Sequence, residues 1–328
     1  MSWYLREWCW DRSKEWILNN AIAFYTNKKV VFLLATLCCL LWGSSYPAIK
    51  NGYALFHIAD GDIPGKLLFA GYRFAIAGIL LLLLAKVRGC SLTQLLPGQP
   101  KQLVILGLSQ TAVQYTLFYI GLAHTTGVNG SIMNATQTFF SVLLAHYLYN
   151  NDKLSINKSV GCLVGFIGVA IVNINGLGDF TFTLMGDGFI VISAFLISAA
   201  SIYGKRISAA MDATMMTGYQ LTLGGVVMIV AGYLLGGNIR IESGTACMVL
   251  LYLVLISSVS FALWSQLLKY NKVGVLAPFN FLIPVAGVLL SALFLGEKML
   301  EWRYAIALVL VCVGIGMVNR QAWKPSST

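Results

Sequence analysis

Charge is scarce in this chain. Asp, Glu, Lys and Arg make up 10% of its 328 residues, where soluble domains carry about 25%. With 58% hydrophobic residues and a mean hydropathy of +0.77, there is too little polar surface to clothe a soluble domain, and the chain reads as an all-α integral membrane protein. Acidic residues are missing where they would matter most. No Asp or Glu falls within the core of an apolar run, Asp187 and Glu297 standing at run ends, which argues against the buried carboxylate of proton-coupled pumps for cationic drugs. Histidine is scarcer still: His57, His124 and His146 have no carboxylate or cysteine at ligand spacing, and the glycines around Gly176 lack the third glycine, strand and helix of a phosphate loop. Neither an enzyme nor a cofactor or metal site is expected. The cysteines, at 9, 38, 39, 90, 162, 247 and 312, have no paired spacing, which excludes a disulfide framework. No nucleic-acid motif accompanies the net charge of +10, and no nucleic-acid partner is expected.

What the chain has instead is a series of ten apolar runs, at roughly 30–50, 67–85, 102–122, 128–149, 158–174, 186–204, 214–235, 246–268, 274–296 and 303–319. About 20 residues at 1.5 Å rise cover a hydrocarbon core of about 30 Å, so each run is a candidate membrane span. With a cytoplasmic N-terminus, sixteen cations fall on the inner side, among them Lys86, Arg88, Lys153, Lys158, Lys205, Arg206, Lys269 and Lys272. Five, Lys50, Lys66, Arg240, Lys298 and Arg303, fall on the outer side. That bias predicts that both termini are cytoplasmic. Ahead of the first run, residues 1–29 hold Trp3, Trp8, Trp10 and Trp16 among cations and acids. The acids Glu7, Asp11 and Glu15 interrupt any signal-peptide core, and a helix lying in the headgroup region is expected there. Residues 321–328 are expected to form a short cytoplasmic tail.

The run at 273–298 is the most irregular. Pro278, Asn280 and Pro284 stand where a lipid-facing helix would carry leucine. Each proline lacks an N–H, so the carbonyls of Gly274 and Asn280 lose their usual partners. Irregular backbone at membrane depth belongs inside a bundle or beside a wet cavity, and the freed Asn280 carbonyl is expected to face such a cavity. A weak internal repeat is also present. Residues 161–173 resemble 307–319, with Gly168 over Gly314 and Asn173 over Asn319, and upstream Gly127 falls over Gly274 and Gln137 over Pro284. Five runs per half is an odd number, so the second half would enter the membrane with opposite orientation. The expected architecture is a 5+5 inverted-topology repeat of ten transmembrane helices, with residues 30–174 as one half and 186–320 as the other.

These features acquire a family likeness at three places. The second half around ISSVSFALWSQLLKYNKVGVLAPFNFLIPVAGVLLSALFLGEKM, with its Gly296-Glu297 pair, resembles the second EamA domain of the drug/metabolite transporter superfamily. LWGSSYPAI at 41–49 resembles the family's first span, and Tyr72-Arg73-Phe74 resembles its second, where an arginine is usual. Gln137 and Asn150-Asn151-Asp152 depart from the pattern, standing where the first half usually repeats the proline and the Gly-Glu pair. The resemblance implies a multi-pass transporter of a bacterial-type inner membrane whose partners are the lipid bilayer and a small-molecule substrate, and it leaves a homodimer open.

Polar residues line up on several runs. Gly130, Asn134, Gln137 and Ser141 share one helical face, Gln110 and Gln114 are an i, i+4 pair beside Tyr115, and Phe261 and Trp264 share a face with Ser257. Ser193 and Ser201 lie on neighbouring stripes. With Trp42, Ser44 and Ser45 from the first run, and Asn280 and Pro284 from the ninth, these residues are the expected wall of a substrate cavity. Amides, hydroxyls and rings suit a small polar solute such as an amino acid. Arg73 has three readings: a side chain reaching the interface, a structural bond to helix carbonyls, or a partner for a substrate carboxylate. The expected function is a permease working by alternating access. A membrane-embedded enzyme acting on lipid or isoprenoid-linked substrates, and a non-transporting scaffold, are the alternatives; the first lacks a convergent His, Asp or Cys cluster and the second a soluble domain.

Overall fold

The computed structural model of the protein describes residues 19–59, 61–125, 127–172, 182–240, 243–295 and 302–322. Among these residues every regular element is helical. A short helical stretch at 19–26 leads into α1 (Lys28–Leu55), followed by α2 (Ile63–Val87), α3 (Gln99–Ala123), α4 (Gly127–Leu148), α5 (Ile156–Val172), α6 (Leu184–Ser208), α7 (Ala213–Leu234) and α8 (Gly244–Tyr270). Then come α9, built of three pieces (Val273–Leu276, Ala277–Phe281 and Leu282–Leu295), and α10 (Trp302–Ala322). Among the described residues six helices, α1, α2, α3, α6, α7 and α8, are long and apolar enough to cross a membrane. The tryptophans of residues 1–18, the Gly296-Glu297 pair and the tail from 323 lie outside the described residues.

The helices run a few residues past the apolar runs because their ends carry polar caps that hydropathy does not count. Asn27 accepts from the Lys29 and Val30 N–H groups, Asp62 from Gly65, Asp212 from Met215 and Ser243 from Ala246. Each thereby satisfies an otherwise orphaned donor in the first turn. Asp62 is followed by Pro64, whose missing N–H costs nothing in a first turn.

Helix pairing depends on glycine. The α2 helix lies along α7, α5 along α10, α1 between α8 and α9, and α4 against α6. A Cβ added at Gly78 would stand 2.4 Å from the Thr222 nitrogen and 2.6 Å from the Gly218 carbonyl oxygen. Lipid tails are as apolar as leucine, so such close backbone approach, and not hydrophobic exclusion, drives pairing in a bilayer.

The α9 helix departs from the sequence expectation. Its prolines do not kink a continuous helix but each begin a new piece: Pro278 enters the 3-10 turn Ala277–Phe281, and Pro284 sits in the first turn of Leu282–Leu295. Both occupy places where no intrahelical N–H is required. The Asn280 carbonyl is not left free, because the Leu282 N–H is directed to it and to Phe279, while the Ala277 carbonyl accepts from Thr138 Oγ at 3.3 Å. The start of α9 is fixed from the other half of the chain. Asp152, in the α4–α5 loop, is 2% exposed; its Oδ1 lies 2.5 Å from Lys158 Nζ and its Oδ2 accepts from the Gly274 N–H at 2.8 Å.

Candidate functional site

A cavity of about 770 Å³ lies among the helices, with wall residues from both halves of the chain. The α1 helix contributes Trp42, Ser45, Tyr46, Ile49, Lys50 and Tyr53, a single stripe at spacings of three, four and seven. From α2 come Lys66 and Arg73, two turns apart, and from α3 Gln110, Gln114, Tyr115, Phe118 and Tyr119. The α3 stripe passes through a π-turn at Leu108–Val113, a local widening that recurs at functional sites. The wall also holds Asn134 and Gln137 of α4, Ser201 and Lys205 of α6, Phe261, Trp264 and Ser265 of α8, and Asn280 and Ile283 of α9.

Of the residues singled out in the sequence, Trp42, Ser45, Arg73, Gln110, Gln114, Tyr115, Asn134, Gln137, Phe261, Trp264 and Asn280 are thus brought to one cavity. Three are not. Ser44, about 100° around the helix from Ser45, donates to the Leu41 carbonyl at 2.8 Å and accepts from Tyr252 at 2.9 Å. Ser193 is fully buried behind the wall, where it accepts from Gln114 Nε2 at 2.9 Å. Pro284 is buried in α9, one residue beyond the wall position Ile283. The α4 face also divides, since Ser141 turns away to a 3.1 Å bond with Ser198 while Asn134 and Gln137 stay on the wall.

Other wall residues were not anticipated. Tyr46 and Tyr53 continue the Trp42 stripe, and Tyr119 lies one turn beyond Tyr115. Spacing alone could have found them, had rings in an apolar run not looked equally suited to lipid. Lys50, Lys66 and Lys205 looked like topology determinants at run ends, yet all three reach the wall. Lys205 donates to the Leu268 carbonyl and, at 2.6 Å, to that of Asn271. Lys269 in return donates to the Met211 carbonyl at 3.0 Å. Two ammonium groups therefore fasten the end of α8 to the end of α6 and the loop that follows it; the oxygens that Lys205 engages, at a helix C-terminus, are partly negative and short of donors.

The electrostatics of the wall are one-sided. It carries Lys50, Lys66, Arg73 and Lys205, and no Asp or Glu among the described residues. Arg73 is 4% exposed; its Nε donates to Ser257 Oγ at 2.7 Å, and its guanidinium lies 5.2 Å from the Phe74 ring centroid. A central arginine costs about 2.5–3.5 kcal/mol on insertion scales, and one hydroxyl is a small offset. Aromatic rings pack along the wall and, with the fully buried Phe74, behind it. Trp42 meets Phe261 at 5.4 Å and Trp264 at 5.3 Å, and Phe74 meets Tyr115 at 4.6 Å, all centroid to centroid, within the range in which ring pairs attract. Asp187, outside the wall, is fully buried and accepts from Thr125 Oγ at 2.7 Å and the Thr183 N–H at 2.8 Å. His146 Nδ1 accepts from the Leu154 N–H, and His124 Nδ1 lies 2.8 Å from the Ile120 carbonyl. Both histidines have the ordinary partners of polar side chains.

Comparison with known proteins gives a consistent result. The model of the EamA-like transporter family matches the chain twice, over residues 29–174 and 184–320. The transporter YvbV of Bacillus subtilis (strain 168) is 27% identical over 88% of this chain and 92% of its own length. A protein of Salmonella typhimurium named "Probable amino-acid metabolite efflux pump" is 24% identical over 86% of this chain and 92% of its own. The inner membrane transporter YedA of Escherichia coli (strain K12) is 27% identical over 84% and 88%. A solved crystal structure, 18% identical, superposes with a TM-score of 0.76 over 91% of this chain and all of its own, which establishes a shared fold. These relatives are transporters and not enzymes by name, and the chain, a multi-pass helical membrane protein, belongs to the EamA-like transporter family.

Proposed function

We propose that the protein is a secondary transporter that moves a small polar metabolite across a bacterial-type inner membrane by alternating access. In this reading α1–α5 (within 30–174) and α6–α10 (within 186–320) are two halves of a 5+5 inverted repeat, every helix crosses the bilayer, and both termini are cytoplasmic. One observation carries the proposal. The cavity of about 770 Å³ has walls from both halves and from four helices of each, as a site at a repeat interface would. The repeat reading draws support from the helix contacts, which map onto one another when each helix is exchanged for the one five places on. By this exchange α1 against α9 becomes α6 against α4, α1 against α8 becomes α6 against α3, and the α2–α7 and α5–α10 pairs map onto themselves. The separate family match of each half fits the same scheme.

Amino acids and their derivatives are the first solutes to test, because a Salmonella relative bears the name of an amino-acid metabolite efflux pump and the wall offers amides, hydroxyls and rings. The experiment is counterflow in proteoliposomes with a panel of radiolabelled amino acids, sugars and nucleosides. Accumulation of one class, abolished by bulky substitutions at Asn134 or Gln137, is the expected result. Protein-independent uptake of every member would end the proposal.

A further inference from the structure

We propose that the solute binds as a carboxylate anion, held by the terminal nitrogens of Arg73, and that the cavity discriminates against cations of the same shape. The inference rests on the transport reading only in naming the ligand a solute; the binding chemistry comes from the wall itself.

Arg73 is buried and lies on the cavity. A guanidinium has five N–H donors, and among the described residues only Ser257 receives one. The two groups in contact with it are neutral, the Ser257 hydroxyl and the Phe74 ring. Buried charges are normally paired, and among the described wall residues there is no carboxylate to pair this one. With Nε committed to α8, the two terminal nitrogens remain as the forked donor that matches a carboxylate in bidentate fashion.

Two further polar atoms on the same cavity await partners. Among the described residues Trp42 Nε1 and Gln114 Oε1 are buried without a hydrogen-bond partner, although Gln114, 3% exposed, has its Nε2 held by Ser193. Buried polar atoms in native proteins are nearly always bonded. One of these is a donor and the other an acceptor. The indole N–H suits a second lone pair of the anion, and the amide oxygen suits a hydroxyl or N–H on the solute. Phe261 and Trp264, packed on Trp42, offer the apolar body of the solute a ring surface. The class that satisfies all of these is an organic carboxylate with a hydrogen-bond donor near the acid group and an apolar or aromatic remainder.

Three compounds of one shape test this on the purified full-length protein in nanodiscs: 3-phenyllactate, an anion with a hydroxyl; phenylalanine, a zwitterion; and phenethylamine, a cation. Binding is measured by calorimetry. 3-Phenyllactate should bind most tightly and phenethylamine at least about tenfold more weakly, each tenfold step being about 1.4 kcal/mol. Arg73→Gln should lose most affinity for 3-phenyllactate and leave phenethylamine unchanged. Gln114→Leu should erase the advantage of 3-phenyllactate over 3-phenylpropionate, which lacks the hydroxyl. Preference for phenethylamine, indifference to Arg73→Gln, or failure of all three compounds to bind would each overturn the inference. Should Arg73→Gln not purify as a folded protein, the order of the three compounds on the parent decides alone. Counterflow is read separately: anion binding without counterflow would end the transport proposal and keep the site, whereas counterflow that favours phenethylamine would do the reverse.

Discussion

Gly161 and Gly314 face each other across the α5–α10 seam so closely that each would exclude a side chain on the other. A Cβ at Gly161 would stand 2.7 Å from the Gly314 carbonyl oxygen, and a Cβ at Gly314 would stand 2.6 Å from that of Gly161. The obstacle is backbone in both directions, so no rotamer change can relieve it. Gly316, two residues on, has open space around it.

Gly314→Leu should therefore separate the two helices and destabilise the protein by about 1–3 kcal/mol or more, the usual cost of overpacking. Gly316→Leu should be close to neutral. Thermal unfolding of both variants in the same detergent is the check, and equal melting temperatures would mean that the seam is looser than its geometry.

Cysteines placed one at a time at Asn134, Gln137, Trp264 and Asn280, in a background freed of natural cysteine, should react with small aqueous thiol reagents and be protected by a transported solute. Cysteine at Ser193, fully buried behind Gln114, should stay inert. Uniform inertness at the four wall positions would make the cavity a packed seam.

Pro284→Ala should insert and fold normally but alter transport. Alanine regains an N–H four residues after Asn280, which lets the α-helix extend back through the 3-10 turn at Ala277–Phe281 and draws Asn280 off its place on the wall. Unchanged transport kinetics would remove the turn from the mechanism.

A reporter fused after Thr328 should be active only if it folds in the cytoplasm, following the excess of Lys and Arg in alternate loops. Activity restricted to an outside-specific reporter would overturn the orientation and the inverted repeat together.

The hydropathy of the chain made the helices legible but not their ends. The run at 67–85 and the helix Ile63–Val87 differ by the Asp62 cap and its following proline, which no apolar window registers. Polar side chains at helical spacing made Gln110, Gln114, Asn134 and Gln137 legible as wall residues, because an amide in a lipid-depth run demands a reason. Tyr46, Tyr53 and Tyr119 were not, since a phenol is at home in a headgroup layer as well as beside a cavity. Nor could spacing separate Ser44 from Ser45, which differ only in which way α1 is turned. Lys205 was hidden by its place at a run end, where a cation already has an explanation. The role of Asp152 was hidden for another reason: its partner Gly274 is 122 residues away, and no local pattern joins them.

That distance has a consequence for biogenesis. At a synthesis rate of about 5–20 residues per second, roughly 6–24 s pass between the appearance of Asp152 and that of Gly274. During that interval the first half of the chain stands at the translocon with a carboxylate whose backbone partner does not yet exist. Lys158, six residues on, arrives almost at once and can hold the charge in the meantime, so that Asp152 serves first as half of a local ion pair and later as the latch that receives the ninth helix.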